Sequence, residues 1–325
     1  MKAVVWQGED LVTVEDVANP ASRHSFAIID IAFAGICGTD LHICANHHPR
    51  AKPGLILGHE MVGWIAERGK VLPKGTAVFI NPLISCGSCP PCIKGLIHVC
   101  EELGLYGIDQ PGGLAEQVSV PESALIEIPN SLDMKTAALI EPLAVNIRAL
   151  HRSGMKAGDR VHILGAGPIG LLMAMVAKYF GAGAITMSEP NVARVQRAAN
   201  LGFEIYSGKP DRRADVLFDC TGHPSVSETI TQWTATGGKI MVVGVYPGVV
   251  GFDLRDINFR EIDVFSTRVY TIADIKESIS VLTEGAIAGV TAIISSVVPL
   301  TAGPEAIAQL KTGHEMKVLV QGREG

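Results

Sequence analysis

The pattern of hydrophobic and polar positions divides the chain into two parts. Roughly the first 130 residues carry short apolar segments separated by Gly and Pro. Such a pattern is typical of an irregular, strand-rich domain. The clearest predicted strands in this part lie at 26–32, 60–67, 76–80 and 115–120. The sequence contains no internal repeat, low-complexity stretch or long linker.

From about residue 132 the pattern changes. Residues 133–150 have the spacing of a helix. The apolar runs that follow lie at 160–164, 184–188, 216–220, 239–245 and 263–267. Helix-like stretches separate most of them, which predicts a parallel, doubly wound sheet of βαβ units. After about residue 270 the sequence predicts one more helix, at 273–283, and a final strand at 317–320.

Composition and charge narrow the class of protein. Hydrophobic residues make up 47% of the 325 residues and charged residues 18%, so there is ample material for a core. The formal net charge of −6 argues against nucleic acid as a partner. The longest apolar stretch, 164–177, is shorter than the roughly 20 residues that span a bilayer, and no signal peptide is evident. We therefore expect a cytoplasmic protein without a membrane partner.

A glycine-rich segment follows the predicted strand at 160–164. Gly165, Gly167 and Gly170 form the pattern G-x-G-x-x-G, and a predicted helix at 171–180 follows. In this context the glycines allow a tight turn, close approach of a pyrophosphate and close packing of helix on strand. The pyrophosphate would bind at the helix N-terminus. The candidate cofactor-binding residues in this segment are Gly165, Gly167, Pro168, Ile169 and Gly170. Gly244, in the apolar run at 239–245, is a further candidate.

An acidic residue ends the next predicted strand, where dinucleotide-binding proteins hold the adenosine ribose. Glu189 lies 24 residues after Gly165. Its carboxylate would accept hydrogen bonds from the ribose hydroxyls and repel a 2′-phosphate, which favours NAD over NADP. The alternative is that Glu189 caps or flanks the following helix. Arg194 either meets the adenine side of the cofactor or is a solvated helix residue.

Seven cysteines form an odd, unevenly spaced set, which disfavours a disulfide framework. Four of them lie within 15 residues: Cys86, Cys89, Cys92 and Cys100. Four thiolates at such spacing fit a closed, structural zinc site, and metal binding would stabilise a lobe too small to build a core. An iron–sulfur cluster is the alternative, because its cysteine spacings overlap. Cys44 and Cys220 are expected to be packing thiols.

A second set of possible ligands lies upstream in glycine-flanked turns. It comprises Cys37, Asp40, His42, His59 and Glu60. A catalytic zinc ion needs about three protein ligands and leaves a position for water or a substrate oxygen. Taken singly, each residue has an ordinary structural explanation: Cys37 would be a buried thiol, His59 a core histidine and Glu60 a surface charge. Together with a dinucleotide-binding segment, they indicate zinc-assisted hydride transfer.

With these motifs, the chain resembles the zinc-containing medium-chain dehydrogenases, and among them the polyol, sorbitol and threonine dehydrogenases. The resemblance runs over nearly the whole chain and is carried by 37–42 (CGTDLH), 58–63 (GHEMVG), the four-cysteine segment, 141–144 (EPLA) and 165–170 (GAGPIG). It implies an α/β fold with a β-rich GroES-like catalytic domain at 1–140 and 270–325, including a zinc lobe at about 86–100. It places a Rossmann NAD-binding domain at 141–269.

The resemblance also implies roles for the residues of the second set. Cys37 and His59 become ligands of a catalytic zinc ion, and Glu60 is a ligand in the polyol-type arrangement. Glu141 either binds this metal or holds its water. Two zinc ions per chain are thus expected, one catalytic and one structural.

By the same resemblance, Thr39 and His42 match the positions of a proton relay, and Asp40 matches the buried acid of that motif. Residues 253–267 lie where relatives pair the edge strands of two nucleotide domains. A homodimer or homotetramer is therefore expected.

The sequence departs from the family pattern in three places. Only 13 residues, 203–215, stand where the family has a strand and a full helix, so a crossover helix should be missing or collapsed. His47 and His48 lie where the family lines its substrate pocket, and they either touch substrate or form a polar loop. Of the segment with which sorbitol-type enzymes hold polyols, only Arg268 matches in place.

Together these features predict reversible oxidation by NAD of a secondary alcohol in a polyol, sugar alcohol or related hydroxy compound. Zinc would act as a Lewis acid on the substrate oxygen. Three alternatives stay open: a zinc-dependent, NADP-linked alcohol or aldehyde reductase, a zinc-independent reductase of enones or quinones, and a non-catalytic nucleotide-binding protein.

Overall fold

The computed structural model describes residues 1–67, 71–206, 208 and 212–323. The strands are β1 Lys2–Gly8, β2 Leu11–Asp16, β3 Phe26–Gly35, β4 Leu55–Ile56, β5 Glu60–Ile65, β6 Ala77–Ile80, β7 Leu83–Ile84, β8 Gly104–Leu105, β9 Gln117–Pro121, β10 Leu125–Glu127, β11 Arg160–Leu164, β12 Ala184–Ser188, β13 Glu204–Ile205, β14 Ala214–Asp219, β15 Thr234–Val242, β16 Asp263–Ser266, β17 Ile294–Pro299 and β18 Lys317–Gln321.

The α-helices are α1 Gly38–Cys44, α2 Pro90–Ile93, α3 Met134–Ala137, α4 Ile140–Ser153, α5 Pro168–Tyr179, α6 Val192–Asn200, α7 Pro224–Ser227, α8 Ile230–Trp233, α9 Leu254–Phe259, α10 Ile272–Thr283 and α11 Gly303–Lys311. Short 3-10 helices lie at Ile97–Val99, Glu122–Ala124, Val290–Ile293 and Leu300–Ala302. Within the described part of the chain, every helix is too short or too polar to cross a bilayer.

The chain forms two compact units. Unit 1 comprises Met1–Glu141, Leu282–Glu284 and Ile294–Gly325, and unit 2 comprises Pro142–Val281 and Gly285–Ile293. The functional domain limits predicted from the sequence, 1–140 with 270–325 and 141–269, stay a prediction.

Unit 1 is built on a mixed, seven-stranded sheet. Six strands follow the order β10-β6-β5-β3-β18-β17, and β9 also pairs with β3. Most positions of β3 are buried, as expected for a long strand with neighbours on both sides. The C-terminal strand β18 runs antiparallel to β3, with Leu319 opposite Gly35. This pairing brings the end of the chain beside the turn that follows β3. Two smaller sheets, β2-β1-β4 and β7-β8, complete the unit.

Unit 2 contains a six-stranded sheet in the order β13-β12-β11-β14-β15-β16, and every neighbouring pair is parallel. The predicted doubly wound α/β fold is thereby confirmed. Strands β11 and β12 match their predicted bounds at both ends. Helix α5 begins with Pro168 after Gly167 and is buried over most of its length. Its unbroken apolar sequence suits a helix packed against a buried parallel sheet.

The crossover from β13 to β14 is short. Strand β13 has two residues, and the described residues of 203–215 form no helix. This agrees with the expected loss of a crossover helix. Ser207 and residues 209–211 of that segment lie outside the described residues.

The prediction of a single helix and a single strand after residue 270 is wrong. Strand β17 and helix α11 also lie there. Two serines interrupt the apolar pattern of β17, and α11 has only nine residues, of which the first two are Gly303 and Pro304. In α11 the buried side chains are Ala306, Ile307 and Leu310, which share one face of the helix.

Candidate functional site

Cys37 lies in the turn between β3 and α1, where it is the N-cap residue of the helix. Its backbone N–H donates to Asp40 Oδ2 at 2.8 Å, and Asp40 Oδ1 accepts from the Gly58 N–H at 3.2 Å. Burial raises the pKa of Asp40, although these two N–H donors oppose the shift. One buried carboxyl group thus joins the turn that carries Cys37 to the segment that carries His59.

Gly58 fixes the approach to the next two candidate ligands. Its φ is +93°, and a Cβ atom there would lie 2.7 Å from Leu114 Cγ and 2.9 Å from Leu114 N. Only glycine fits such a position. His59 and Glu60 follow, and both are buried, with 5% and 1% of their surface exposed. The ligand atoms of Cys37, His59 and Glu60 all lie within 4.8 Å of one another.

The charges around His59 favour a bound cation. Burial alone would lower its pKa, but the charges of Cys37, Asp40 and Glu141 raise it well above the ordinary value. His59 Nδ1 is buried without a hydrogen-bond partner and lies 4.0 Å from Asp40 Oδ1. A sulfur, a nitrogen and an oxygen donor grouped in this way suit zinc, and three ligands leave an open position. The residues therefore fit the expected metal.

Glu141 is buried at the start of α4. It lies near enough for its charge to raise the pKa of His59 and of Lys317. The compact donor group found in the described residues contains Cys37, His59 and Glu60 but does not include Glu141. Direct binding to the metal and holding of its water both stay predictions for Glu141.

Helix α1 carries the two predicted relay residues. Thr39 Oγ1 lies 3.9 Å from Cys37 Sγ in the first turn, and His42 is exposed in the last turn. The helix thus places one hydroxyl beside the candidate ligand and one imidazole in solvent. Their role in proton transfer stays a prediction.

Sequence reasoning missed Lys317, which the fold brings to this site. Lys317 is 2% exposed at the start of β18. Its Nζ donates to Glu60 Oε1 at 2.6 Å, to Glu60 Oε2 at 2.7 Å and to Ile36 O at 3.2 Å. Burial alone would lower the pKa of Lys317, but the charges of Glu60, Cys37 and Glu141 raise it. The only signal in the sequence is a lysine that directly adjoins an apolar run.

The four clustered cysteines form a second donor group, with all four sulfur atoms within 4.8 Å of one another. Cys100 Sγ lies 3.5 Å from Cys86 Sγ and 3.8 Å from Cys89 Sγ. A tetrahedron with Zn–S bonds of about 2.3 Å has sulfur–sulfur edges of about 3.8 Å. Backbone N–H groups of Ser88 and Cys89 lower the pKa of Cys86 to about 6. These spacings fit a single tetrahedral ion better than a multi-iron cluster.

The remaining thiols, Cys44 and Cys220, belong to neither donor group within the described ranges. Burial raises the pKa of both. Cys44 is buried and Cys220 half-buried, and a thiol with a raised pKa has little reactivity. Their assignment as packing thiols stays a prediction.

The glycine-rich loop in unit 2 has the geometry that its sequence predicts. Gly165 has a φ of +93°, and a Cβ atom on Gly170 would lie 1.9 Å from Gly165 O. Gly167 is the N-cap of α5, followed by Pro168 and Ile169 in the first turn. A Cβ atom on Gly244 would lie 2.2 Å from Gly222 N, so glycine is required there too. The open N-terminus of α5 is suited to an anion such as a pyrophosphate.

Glu189 contacts this loop directly. Its Oε2 accepts from the Ala166 N–H at 2.8 Å, and its Oε1 accepts from the Asn191 N–H at 2.9 Å. Asn191, not Glu189, caps helix α6, so Glu189 flanks that helix but does not cap it. Arg194 Nη1 lies 3.9 Å from Glu189 Oε2 and 3.8 Å from the position of a Cβ atom on Gly167. Both side chains therefore border the loop.

The weaker substrate candidates lie in loops. His47 is exposed and His48 half-buried after α1. Burial and the charge of Arg50 lower the pKa of His48, and His42 and His59 act in the same direction. Arg268 is exposed in unit 2. Contact of these three residues with substrate stays a prediction.

Comparison with known proteins gives two family matches and close relatives. Residues 24–130 match the alcohol dehydrogenase GroES-like domain, and residues 168–284 match the zinc-binding dehydrogenase family. The chain is 34% identical over 310 residues to 2-dehydro-3-deoxy-L-galactonate 5-dehydrogenase of Pseudoalteromonas atlantica, with 90% of each chain covered. It is 30% identical over 287 residues to sorbitol dehydrogenase of Bacillus subtilis, covering 82% of this chain and 81% of the relative.

Among solved structures, the fold matches a protein from Sinorhizobium meliloti 1021 that is described as a zinc-binding dehydrogenase and is bound to NADP. The TM-score is 0.91, the sequence identity is 30%, and 98% of each chain is covered.

Proposed function

The chain belongs to the zinc-containing medium-chain dehydrogenases, and we propose that it transfers a hydride between a secondary alcohol and NAD. The substrate class is a sugar-derived polyol or a sugar acid. Relatives named for sorbitol and for a deoxygalactonate support this class. The observation that carries the proposal is the convergence of Cys37, His59 and Glu60 within 4.8 Å of one another.

In this proposal, Cys37 and His59 hold the catalytic metal, and the buried carboxyl group of Asp40 orients the segments that carry them. A zinc ion bound here would act as a Lewis acid on the alcohol oxygen and lower the pKa of the hydroxyl group. The burial of His59 and Glu60 keeps water away and strengthens electrostatic interactions at the reacting oxygen.

The proton released from the alcohol leaves through residues of α1. The Thr39 hydroxyl is the first group in the proposed relay, because it lies beside Cys37. His42 is the last, because its imidazole is exposed to solvent at the end of the same helix. Loss of either group would slow proton transfer and lower kcat, with a smaller effect on substrate affinity.

The glycine-rich loop and Glu189 would hold the cofactor, which would supply the nicotinamide ring as hydride acceptor. The Glu189 carboxylate, 4% exposed and bonded to the loop, would accept from the ribose hydroxyls and repel a 2′-phosphate. NAD is therefore the proposed cofactor. NADP is the alternative, favoured by the NADP-bound relative and by Arg194 at the edge of the loop.

The experiment follows absorbance of the reduced cofactor with zinc-replete protein, a panel of polyols and sugar acids, and either NAD or NADP. The proposal predicts turnover of at least one panel member, with a higher kcat/KM for NAD. A preference for NADP would support the reductase alternative. Turnover of enones by metal-free protein would contradict the zinc-dependent reaction altogether.

A further inference from the structure

We propose that Lys317 is a positioning residue that competes with the catalytic metal for the Glu60 carboxylate and thereby weakens metal binding at this site. The inference rests on the proposed function only in assuming that Cys37, His59 and Glu60 hold a metal ion. Neither matched family segment reaches Lys317, since the matches end at residues 130 and 284.

The first observation is that Lys317 occupies both oxygen atoms of Glu60. The contacts of 2.6 Å and 2.7 Å are charge-assisted hydrogen bonds in a site where the side chains are 3% and 1% exposed. The third ammonium proton is directed to Ile36 O at 3.2 Å. An ammonium group has three N–H donors, so these three acceptors satisfy every donor of Lys317.

The second observation is that the Glu60 carboxylate has little room to move away from the lysine. A Cβ atom on Gly35 would lie 2.0 Å from Glu60 Oε2, so the carboxylate packs directly against the backbone of β3. Ile36 follows on the same segment and accepts from Lys317. The carboxylate therefore lies between two cation positions, the ammonium group of Lys317 and the metal position beside Cys37 and His59.

The charges of the buried groups give the energetic consequence. A metal-bound Cys37 is a thiolate, and Glu60 and Glu141 are acidic groups in the same neighbourhood. With Lys317 present, the charge of Glu60 is already paired with the ammonium group, so less negative charge is left to balance a divalent ion. Without Lys317, the Glu60 carboxylate loses this partner, and a bound divalent ion would balance its charge, because an unpaired buried carboxylate is strongly unfavourable. Removal of Lys317 should therefore tighten metal binding.

This direction separates competition from a merely structural role. If Lys317 only supported the local fold, its removal would disturb the donor group and weaken metal binding. If it competes for Glu60, its removal strengthens binding although one stabilising ion pair is lost. Lys317→Arg keeps the charge, so it should leave the affinity close to that of the unaltered protein.

The experiment is a Co²⁺ titration of full-length, metal-free protein against a competing chelator, followed by the visible absorption of the bound ion. The Cys37→Ala variant reports Co²⁺ bound at the four-cysteine lobe alone, and the difference from it gives the affinity of this site. We expect Lys317→Met to bind Co²⁺ about tenfold tighter or more. We also expect a larger rise in Tm on metal addition than in the unaltered protein.

A double-mutant cycle distinguishes competition for Glu60 from misfolding of the Lys317→Met variant. Glu60→Gln with Lys317→Met removes both buried charges at once, so no unpaired ion remains. In the Glu60→Gln background the competition is absent. Lys317→Met should therefore no longer raise the Co²⁺ affinity as strongly as it does when Glu60 is present. Weaker Co²⁺ binding by Lys317→Met, or the same gain with and without Glu60, would overturn the inference. Absence of any Cys37-dependent Co²⁺ binding in the unaltered protein would overturn the proposed function as well.

Discussion

His162 occupies a position on β11 that is usually apolar in a buried parallel strand. Its Nδ1 pairs with Thr186 Oγ1 at 2.7 Å and its Nε2 with Ser188 Oγ at 3.1 Å, both on β12. Its ring also stacks on the Trp233 ring, with 4.3 Å between the two ring centroids. A neutral imidazole satisfies both partners, whereas a protonated ring would have two donors in a buried position.

Burial lowers the pKa of His162 to about 4, below the unfolded value of about 6.5. Between these values the unfolded chain binds more protons than the folded chain, so stability falls as the pH falls. We expect a loss on the order of 3 kcal/mol between about pH 6.5 and pH 4 from this residue. Above about pH 6.5, His162 is neutral in both the folded and the unfolded chain and does not make stability depend on pH.

Urea unfolding of the unaltered protein and of His162→Gln at pH 7 and pH 5 measures this effect. Glutamine keeps polar partners for Thr186 and Ser188 but does not titrate. The variant should lose less stability on acidification than the unaltered protein. Equal losses in the two proteins would contradict a neutral, buried His162.

At this scale, sequence reasoning found the residues whose chemistry is tied to local spacing. Cys37, His59 and the glycines of the loop are recognisable because each lies in a short motif. Lys317 was not predicted, since its partner Glu60 is 257 residues away in the chain. No local pattern encodes an ion pair that forms only when β18 packs against β3.

Among the elements, the four-cysteine lobe is the one that we expect to depend most on a bound metal. Its helix α2 has four residues, and the adjoining β7 and β8 have two each. Elements so short cannot bury enough apolar surface to fold by themselves. The proposed zinc ion would supply the missing stability.

Cys100→Ser tests this element, because Cys100 is fully buried and contacts two other thiols. We expect the variant to lose about one zinc ion per chain and to show a Tm lower by about 5 °C or more. Zinc content by atomic emission and thermal unfolding provide the measurements. Cys220→Ser, outside both donor groups, is the matched control and should keep its zinc.

Retention of full zinc content by Cys100→Ser would rule out a metal held by all four cysteines. A full loss of both metals would instead mean that the lobe and the Cys37 site do not bind independently. We expect the loss of the lobe zinc alone.

Element prediction succeeded where turn residues bound a short β-forming run and failed where polar residues divide it. Strands β11 and β12 were predicted to the residue, because glycine, proline and charged residues lie directly outside each run. Strand β17 was missed because none of its six residues is fully buried and two serines divide its apolar positions. The short crossover after β13 was expected from chain length alone, which leaves no room for a helix.

On the scale of the whole molecule, unit 2 presents an uncovered sheet edge. Strand β16 ends the strand order of the six-stranded sheet. Exposed apolar side chains lie on β16 and the preceding helix α9, with Leu254 72%, Phe259 76% and Val264 45% exposed. An open edge with apolar neighbours favours pairing with another chain. We therefore keep the prediction that two copies associate through residues 253–267.

Phe259→Glu should break this association, because it places a charge within the apolar surface. We expect light scattering coupled to size-exclusion chromatography to give an oligomeric mass for the unaltered protein and a smaller one for the variant. Leu11→Glu, at a 55% exposed residue of unit 1, is the control and should leave the mass unchanged. A monomeric mass for the unaltered protein would refute the predicted dimer or tetramer.

The central claim, that the Cys37 site carries out zinc-dependent hydride transfer, is tested most directly by the rate of NADH formation in Cys37→Ala. The measurement uses the polyol or sugar acid that the unaltered protein turns over best, with zinc content and NAD affinity determined on the same samples. The account predicts that the variant keeps the lobe zinc and near-normal NAD binding but loses turnover by at least about a thousandfold. An undiminished rate in Cys37→Ala would contradict it.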